Sequence, residues 1–471
     1  MKPAHLFALL ALTIGAVMVH GYHPAAEDAE VYLPSVFKLL DPSLYPHDAA
    51  FALAHARLTL FPYLVAGSIR LSHLPVGVAL LAWHLASIFL LLWACHRIAR
   101  LCFRGSPAVW GGVALVAGLL TIPVAGTALY IMDQYLTSRS LATPGAVLVL
   151  ATALEGRRGR ALLWALFTVA VHPLMGVLAA ALWGSYELVR VRQSLAVAGV
   201  FLLAPVTPAY EEVLKKLPYH MITKWAWYEW IGAIAPMAIL AWIGRQRPGP
   251  IQTLGRALVI FQAVFLVAGL AVCLPGLASL SRTQPMRSLH LVYILMFLLI
   301  GGLLGEYVLK RHAWRWALLL VPLSGGMWYA QRQLFPATPH LEWPWTDSPN
   351  PWVRVFRWIR TNTPKDALFA LDPEYMSLPG EDHQGFRVLA QRSRLADAAK
   401  DSGPASLMPE LAEEWLAQVE AQRGMSRFQA ADFEGLKTRY GVSWVLLARA
   451  SPQGLACPYQ QGGLSVCRIG R

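Results

Sequence analysis

Charge is what this sequence has least of, and acid above all. Only 14% of its 471 residues are charged, with 27 Asp and Glu against 40 Lys and Arg. A soluble chain would carry roughly 25% charged residues. At 56% hydrophobic, with apolar runs recurring through the first 330 residues and many near the ~20 needed to cross a bilayer, the sequence reads as a polytopic membrane protein. The net charge of +13 is then the positive-inside bias of short loops. No nucleic-acid module is recognisable, and no nucleic-acid partner is expected. Cysteine is scarce too, and Cys95, Cys102, Cys273, Cys457 and Cys467 show no metal-ligand spacing. Cys457 and Cys467 flank a Gly-Gly turn and read equally as a disulfide in an oxidising compartment or as two free thiols.

What is present divides into spans and a tail. Residues 1–21 have the Lys-then-apolar form of a signal peptide without a clean small-x-small cleavage site, so an uncleaved first span over 5–20 is expected. Further spans are expected over 76–95, 108–130, 140–154, 194–209, 228–244, 254–277, 288–307 and 314–330. Residues 161–189 read as two short helices split at His172-Pro173; one long kinked helix is the alternative and would invert everything downstream. Segment 58–71 is too short and interrupted and reads as interfacial. The total is about eleven spans. The inner loops so defined carry about 14 Lys/Arg and one acid, Glu155, whereas the outer loops balance the two signs. This places the N-terminus in the cytoplasm and the C-terminal segment outside the bacterial inner (plasma) membrane.

A transmembrane helical domain is expected over 1–335, with an acidic first outer loop at 21–57. A Pro/Trp-rich linker at the membrane surface follows over 336–350, then a small α/β extracytoplasmic domain over 351–471. In that domain VRVFRWIRTNT reads as a helix stopped before Pro364, DALFALD as a strand and PELAEEWLAQVEAQRG as an amphipathic helix ended by Gly424. FEGLKTRYG-VSWVLLARA reads as helix, turn and strand, and LSVCRIG as a last strand.

The candidate chemistry sits in residues 21–51, where Glu27, Asp28, Glu30, Asp41, Asp48, His23 and His47 collect in an otherwise apolar and basic chain. Glu27 and Asp28 suit a catalytic carboxylate or a divalent-cation ligand; a solvated loop start is the bland alternative. Asp41 reads as turn chemistry, while Asp48 and His47 divide evenly between turn and site. Asp133, with Arg139 nearby, falls in the next outer loop and serves as metal or acceptor site, or as a plain helix end. His172 is a possible phosphate or metal contact, against a histidine satisfied by a backbone carbonyl. Arg282 and Arg287 stand in an outer loop without acids, suiting phosphate oxygens or anionic lipid head groups equally. Residues 211–230 read as an aromatic belt, and Glu381-Asp382-His383 as a solvated loop.

An acidic pair in the first outer loop, many spans and a C-terminal extracytoplasmic domain together resemble the GT-C class of membrane glycosyltransferases. That class includes protein O-mannosyltransferases, aminoarabinose transferases and oligosaccharyltransferase catalytic subunits. The pieces HPAAEDAEVY, LYPHD, HPLMG, QPMRS and WIRTNTPKDALF are similar to a family of bacterial multi-spanning membrane proteins with no assigned activity. The GT-C resemblance implies sugar transfer from a polyprenyl-phosphate donor on the outer face of the cell envelope. It makes Glu27 or Asp28 the base or metal ligand, with Mg or Mn as the possible cation and Asp28, Asp48 and Asp133 as its candidate ligands. Arg282, Arg287, Arg139 and His172 would contact substrate. No WWD-like motif of the oligosaccharyltransferase branch is present. The rival expectation is a non-enzymatic transporter or lipid-binding assembly protein; no internal repeat favours a transporter.

Overall fold

The structure, a computed structural model, describes residues 2–191, 207–274, 276–450 and 452–470. It is mostly helical and divides into two compact units. One comprises Met1–Gly21, Leu81–Pro205 and Pro218–Gln331; the other Tyr22–Leu80, Val206–Leu217 and Arg332–Arg471.

The first unit is a bundle of apolar helices. Its tightest pair, Ser106–Gly118 and Ser288–Leu304, meets through small residues. A Cβ on Gly111 would stand 2.3 Å from the Gly301 carbonyl oxygen, and one on Gly301 would stand 2.4 Å from that of Gly111. Glycine on both sides lets the backbones touch, which is how helices gain packing where lipid removes the hydrophobic drive between them. The break expected at His172-Pro173 is present: Arg158–Val171 ends there and Pro173–Val191 begins.

Among the described residues four helical segments are long and apolar enough to cross a membrane: Pro3–His20, Val76–Cys102, Pro250–Val272 and Ala278–Leu309. The expected count of eleven does not follow from these helices. Segment 108–130 is helical only to Gly118, then turns through a two-stranded pair at Pro123–Val124 and Leu129–Tyr130. The 161–189 segment is cut by its proline, and Ser138–Leu154 is short. The 194–209 span lies mostly outside the described residues.

The second unit carries a five-stranded sheet. Its order is Ser393–Arg394, Leu368–Leu371, Trp444–Leu447, Leu464–Arg468 and Ala456–Gln461; the first three strands run parallel and the last two pairings are antiparallel. On one face lie Val355, Phe356 and Ile359 of helix Pro351–Asn362, with Phe369 and Phe386. Phe433 and Leu436 of helix Ala430–Tyr440 cover the other, with Ala370 and Val445. Asn350 caps the first of these helices, accepting from Trp352 N over 2.8 Å, and Pro351 opens it. Gly424 and Gly441 follow their helices at φ 76° and 77°, the left-handed stop that glycine adopts without strain. Cys457 and Cys467 are disulfide-bonded.

Tyr22–Leu80 and Val206–Leu217, both expected in the helical domain, fall in the unit of the C-terminal segment. The acidic stretch after residue 21 folds into the unit of the C-terminal segment rather than with the helical bundle. Helix Ala29–Leu40 packs against Phe61–Ser72 and Phe386–Ala390. The reason is electrostatic: buried arginines of the C-terminal segment need those acids.

Candidate functional site

Arg387 and Arg394 are fully buried, which is tolerable only when every charge is answered. Arg387 Nε donates to Asp48 Oδ2 at 2.6 Å, and its two terminal nitrogens donate to both oxygens of Asp401 at 2.9 and 3.0 Å. Arg394 Nε donates to Glu30 Oε1 at 3.2 Å, and Nη2 to Asp397. Glu30 also accepts from the main-chain N–H groups of Arg387 and Val388 at 3.0 and 3.2 Å. A Cβ on Gly385 would stand 2.5 Å from Glu30 Oε2, so only glycine leaves room for that carboxylate. Burial raises the Glu30 pKa to about 7, against the pull of Arg394 and Arg387. At Asp401 burial is outweighed by the same two arginines, and its pKa falls.

Beside this network, Glu27 and Asp28 converge on one cation. Lys400 Nζ donates to Glu27 Oε2 and, over 3.0 Å, to Asp28 Oδ1. Both carboxylates keep about a third of their side-chain surface, 31% and 30%. Burial lowers the Lys400 pKa, but Asp28 and Glu27 more than reverse it and hold the ammonium charged. Glu27 has φ 53°, and Asp382 and His383 have φ 60° and 55°, left-handed backbone that non-glycine residues adopt only when their surroundings impose it. Glu27 N donates to His383 O at 2.7 Å, so two of these strained residues are joined. His383 Nδ1 lies 3.7 Å from Glu27 Oε1.

The loop Glu381-Asp382-His383 is not the solvated loop expected. Asp382 is buried and accepts from Ala337 N, Thr338 N and Thr338 Oγ1 at 2.9, 2.7 and 2.9 Å. Glu381 is fully buried, and among the described residues no basic side chain pairs with it. Burial drives its pKa up to about 10, despite the main-chain N–H groups of Gln384 and His383. Glu381 therefore favours its neutral form, close enough to Glu27 for that carboxylate to add to the rise. On the same unit His23 stacks on Phe335 at 3.9 Å between ring centres, with Nδ1 2.8 Å from Glu342 Oε1.

The remaining candidates disperse. Asp41 makes the expected turn, accepting from Ser43 N at 3.1 Å. His47 Nε2 lies 2.9 Å from the Asp366 carbonyl oxygen. In the helical unit Arg139 Nη2 donates to Asp133 Oδ2 at 2.8 Å, and both are buried. His172 is buried at the helix break, 3.5 Å from Met175 N. Arg282 lies in the 3-10 turn Ala278–Thr283. Arg287 lines a small pocket with Thr127, Tyr219, His220, Gln284 and Met286. Among the described residues neither buried ring nitrogen of His220 has a hydrogen-bond partner, and burial, helped by Arg287, lowers its pKa to about 3.

The carboxylates expected to bind a divalent cation each meet a basic side chain instead: Asp28 meets Lys400, Asp48 meets Arg387 and Asp133 meets Arg139. Among the described residues no three His, Cys, Asp or Glu groups form a metal-ligand set. Sequence reasoning missed Arg387, Arg394, Asp397, Lys400 and Asp401. The available signal was the run GFRVLAQRSRLADAAKD, which interleaves bases and acids with buried apolar residues.

Residues 350–417, which contain most of these groups, match a family described as Domain of unknown function (DUF6798). No curated protein matches the chain.

Proposed function

We propose that the chain is an integral membrane glycosyltransferase of GT-C-like architecture, moving a sugar from a polyprenyl-phosphate donor at the outer face. The observation that carries this reading is the Glu27–Asp28 pair, one-third exposed beside Lys400, with Glu27 on left-handed backbone. Glu27 or Asp28 takes the proton of the acceptor hydroxyl as its oxygen bonds to the anomeric carbon. The bond from that carbon to the phosphate oxygen breaks, and polyprenyl phosphate leaves with the electron pair. Arg282 and Arg287, in the helical unit, remain the candidate contacts for a phosphate group there.

Two observations support the outward orientation. The first acidic loop and the C-terminal segment, both assigned outside by loop charge, fall in the sheet-bearing unit, and that unit carries a disulfide, which persists in an oxidising compartment. One observation favours the rival, non-enzymatic reading: Lys400 already neutralises the pair, as a purely structural lock would. Screening reconstituted protein against polyprenyl-phosphate sugars separates the two. Transfer that falls by about 10²- to 10⁴-fold in Glu27→Gln or Asp28→Asn, with folding intact, supports the base. Transfer unchanged in both variants removes it.

A further inference from the structure

Helix Phe61–Ser72 is apolar on two faces. Phe61, Val65, Ala66 and Ile69 are buried, and Phe61 meets Tyr32 of helix Ala29–Leu40 edge to face at 6.2 Å. The opposite stripe is open. Leu60, Leu64, Gly67 and Leu71 recur at intervals of four and three, the spacing of one helix face, and Leu74 follows the left-handed His73 that ends the helix. The four leucines are exposed, Leu71 by 86%, and a Cβ on Gly67 would meet nothing. Tyr63 is exposed beside them. A stripe of this kind on a helix already packed on its other side is a surface awaiting an apolar cover.

Three features next to the stripe in sequence or in the packing of Gly77 identify that cover. Helix Val76–Cys102, long and apolar enough to cross a membrane, begins four residues after Ser72. The stripe therefore stands at the mouth of a span. At the head of that helix a Cβ on Gly77 would be 2.9 Å from Pro344 Cβ. The flanking Trp343 and Trp345 stack with ring centres 5.7 Å apart, and Trp345 is 69% exposed. Paired tryptophans beside a span mark the head-group level, where an amphipathic ring is favoured. Finally, residues 49–80 contain Arg57, Arg70, His55 and His73 and no acid, a charge pattern that suits anionic head groups.

We infer that helix Phe61–Ser72 lies in the membrane interface, its Leu60–Leu64–Leu71 stripe seated on a lipid bilayer with Trp345 as a neighbouring anchor. This lipid-seated surface does not depend on sugar transfer.

The test uses the full chain in vesicles of phosphatidylcholine and phosphatidylglycerol, with Cys95, Cys102 and Cys273 replaced by alanine and the disulfide kept. Single spin labels are placed through Leu64→Cys, Leu71→Cys and, as a control, Thr438→Cys on the exposed face of helix Ala430–Tyr440. Leu71 is so exposed that a label there leaves the core intact. At positions 64 and 71 collisions with oxygen, which concentrates in lipid, should exceed those with a water-soluble nickel chelate; the order should reverse at 438. Nickel dominating at 64 and 71 overturns the inference, because the stripe then faces water. Exclusion of both reagents overturns it too, because protein, a second copy or another partner, then covers the stripe.

Discussion

Arg387 and Asp48 lie 339 positions apart in sequence and meet at 2.6 Å in a fully buried ion pair. That contact, with those from Glu30 and Asp401, ties the stretch after the first helix to the C-terminal sheet. Truncating one partner of a buried pair leaves the other charge stranded, at a cost of about 3–5 kcal/mol. Arg387→Met should therefore lower the melting temperature sharply and expose residues 22–57 to protease. Arg387→Met combined with Asp48→Asn and Asp401→Asn should recover part of the loss, because fewer uncompensated charges remain.

Gly385→Ala tests the same junction without touching a charge. The new methyl would collide with Glu30 Oε2 and the Ala25 carbonyl oxygen, 2.5 and 3.0 Å away. Overpacking of this kind costs about 1–3 kcal/mol. A calorimetric scan showing wild-type stability would mean that Glu30 can move aside.

Glu381 gives a pH dependence of defined sign. Its carboxyl, ordinarily near 4.5, is pushed up by burial to about 10 in the folded chain. Between those values the folded protein holds a proton that the unfolded chain releases, so stability falls as pH rises through the window. Glu30, raised to about 7, adds the same sign over the lower part. Glu381→Gln removes the larger effect while keeping shape. Thermal melts should show the variant matching wild type near pH 4 and exceeding it at pH 9, by an amount on the order of 1–3 kcal/mol. A variant that is less stable at pH 9 would show that the ionised form is the native one.

The parts legible in the sequence are those set by local chemistry. Pro364, Gly424 and Gly441 mark helix ends through their own backbone preferences, and Leu368–Leu371 and Trp444–Leu447 are short apolar strands bounded by turns. The acidic stretch was visible because acid is rare. Its partners were not, because Arg387 and Arg394 become remarkable only when buried, and burial is decided by residues more than 300 positions away. The same holds for Glu381: flanked by proline and glycine it reads as loop, yet the fold closes over it. Span counting failed differently. Apolar length marks a buried helix and a membrane-crossing one alike, so Ser106–Gly118 and Ser138–Leu154 were counted with the longer spans.

The disulfide offers a separate measurement. Cys457 and Cys467 close a short loop, ten residues apart, at the sheet edge. In the chain-entropy account its loss costs about 2–3 kcal/mol. Reductant should lower the melting temperature of wild type and leave Cys457→Ser with Cys467→Ser unaffected. Equal sensitivity in both would place the effect elsewhere.

Lys400 decides whether the Glu27–Asp28 pair is poised or merely locked. Each carboxylate is about a third exposed, so its pairing with the lysine contributes only about 0–1 kcal/mol. Glu27→Gln and Asp28→Asn alone should therefore leave the melting temperature almost unchanged. Lys400→Met should do more, because two neighbouring carboxylates then face each other without a cation, and the pKa of one of them should rise. If the pair acts as a base, the pH at which turnover rises should move upward in Lys400→Met, while the melting temperature, measured in parallel, accounts for any loss of folded protein. A turnover profile that keeps its shape and scales only with folded fraction would assign Lys400 and its two partners to structure alone. A profile that shifts while Glu27→Gln or Asp28→Asn abolishes turnover would identify which carboxylate carries the proton, because only the variant lacking it should lose the pH-dependent limb.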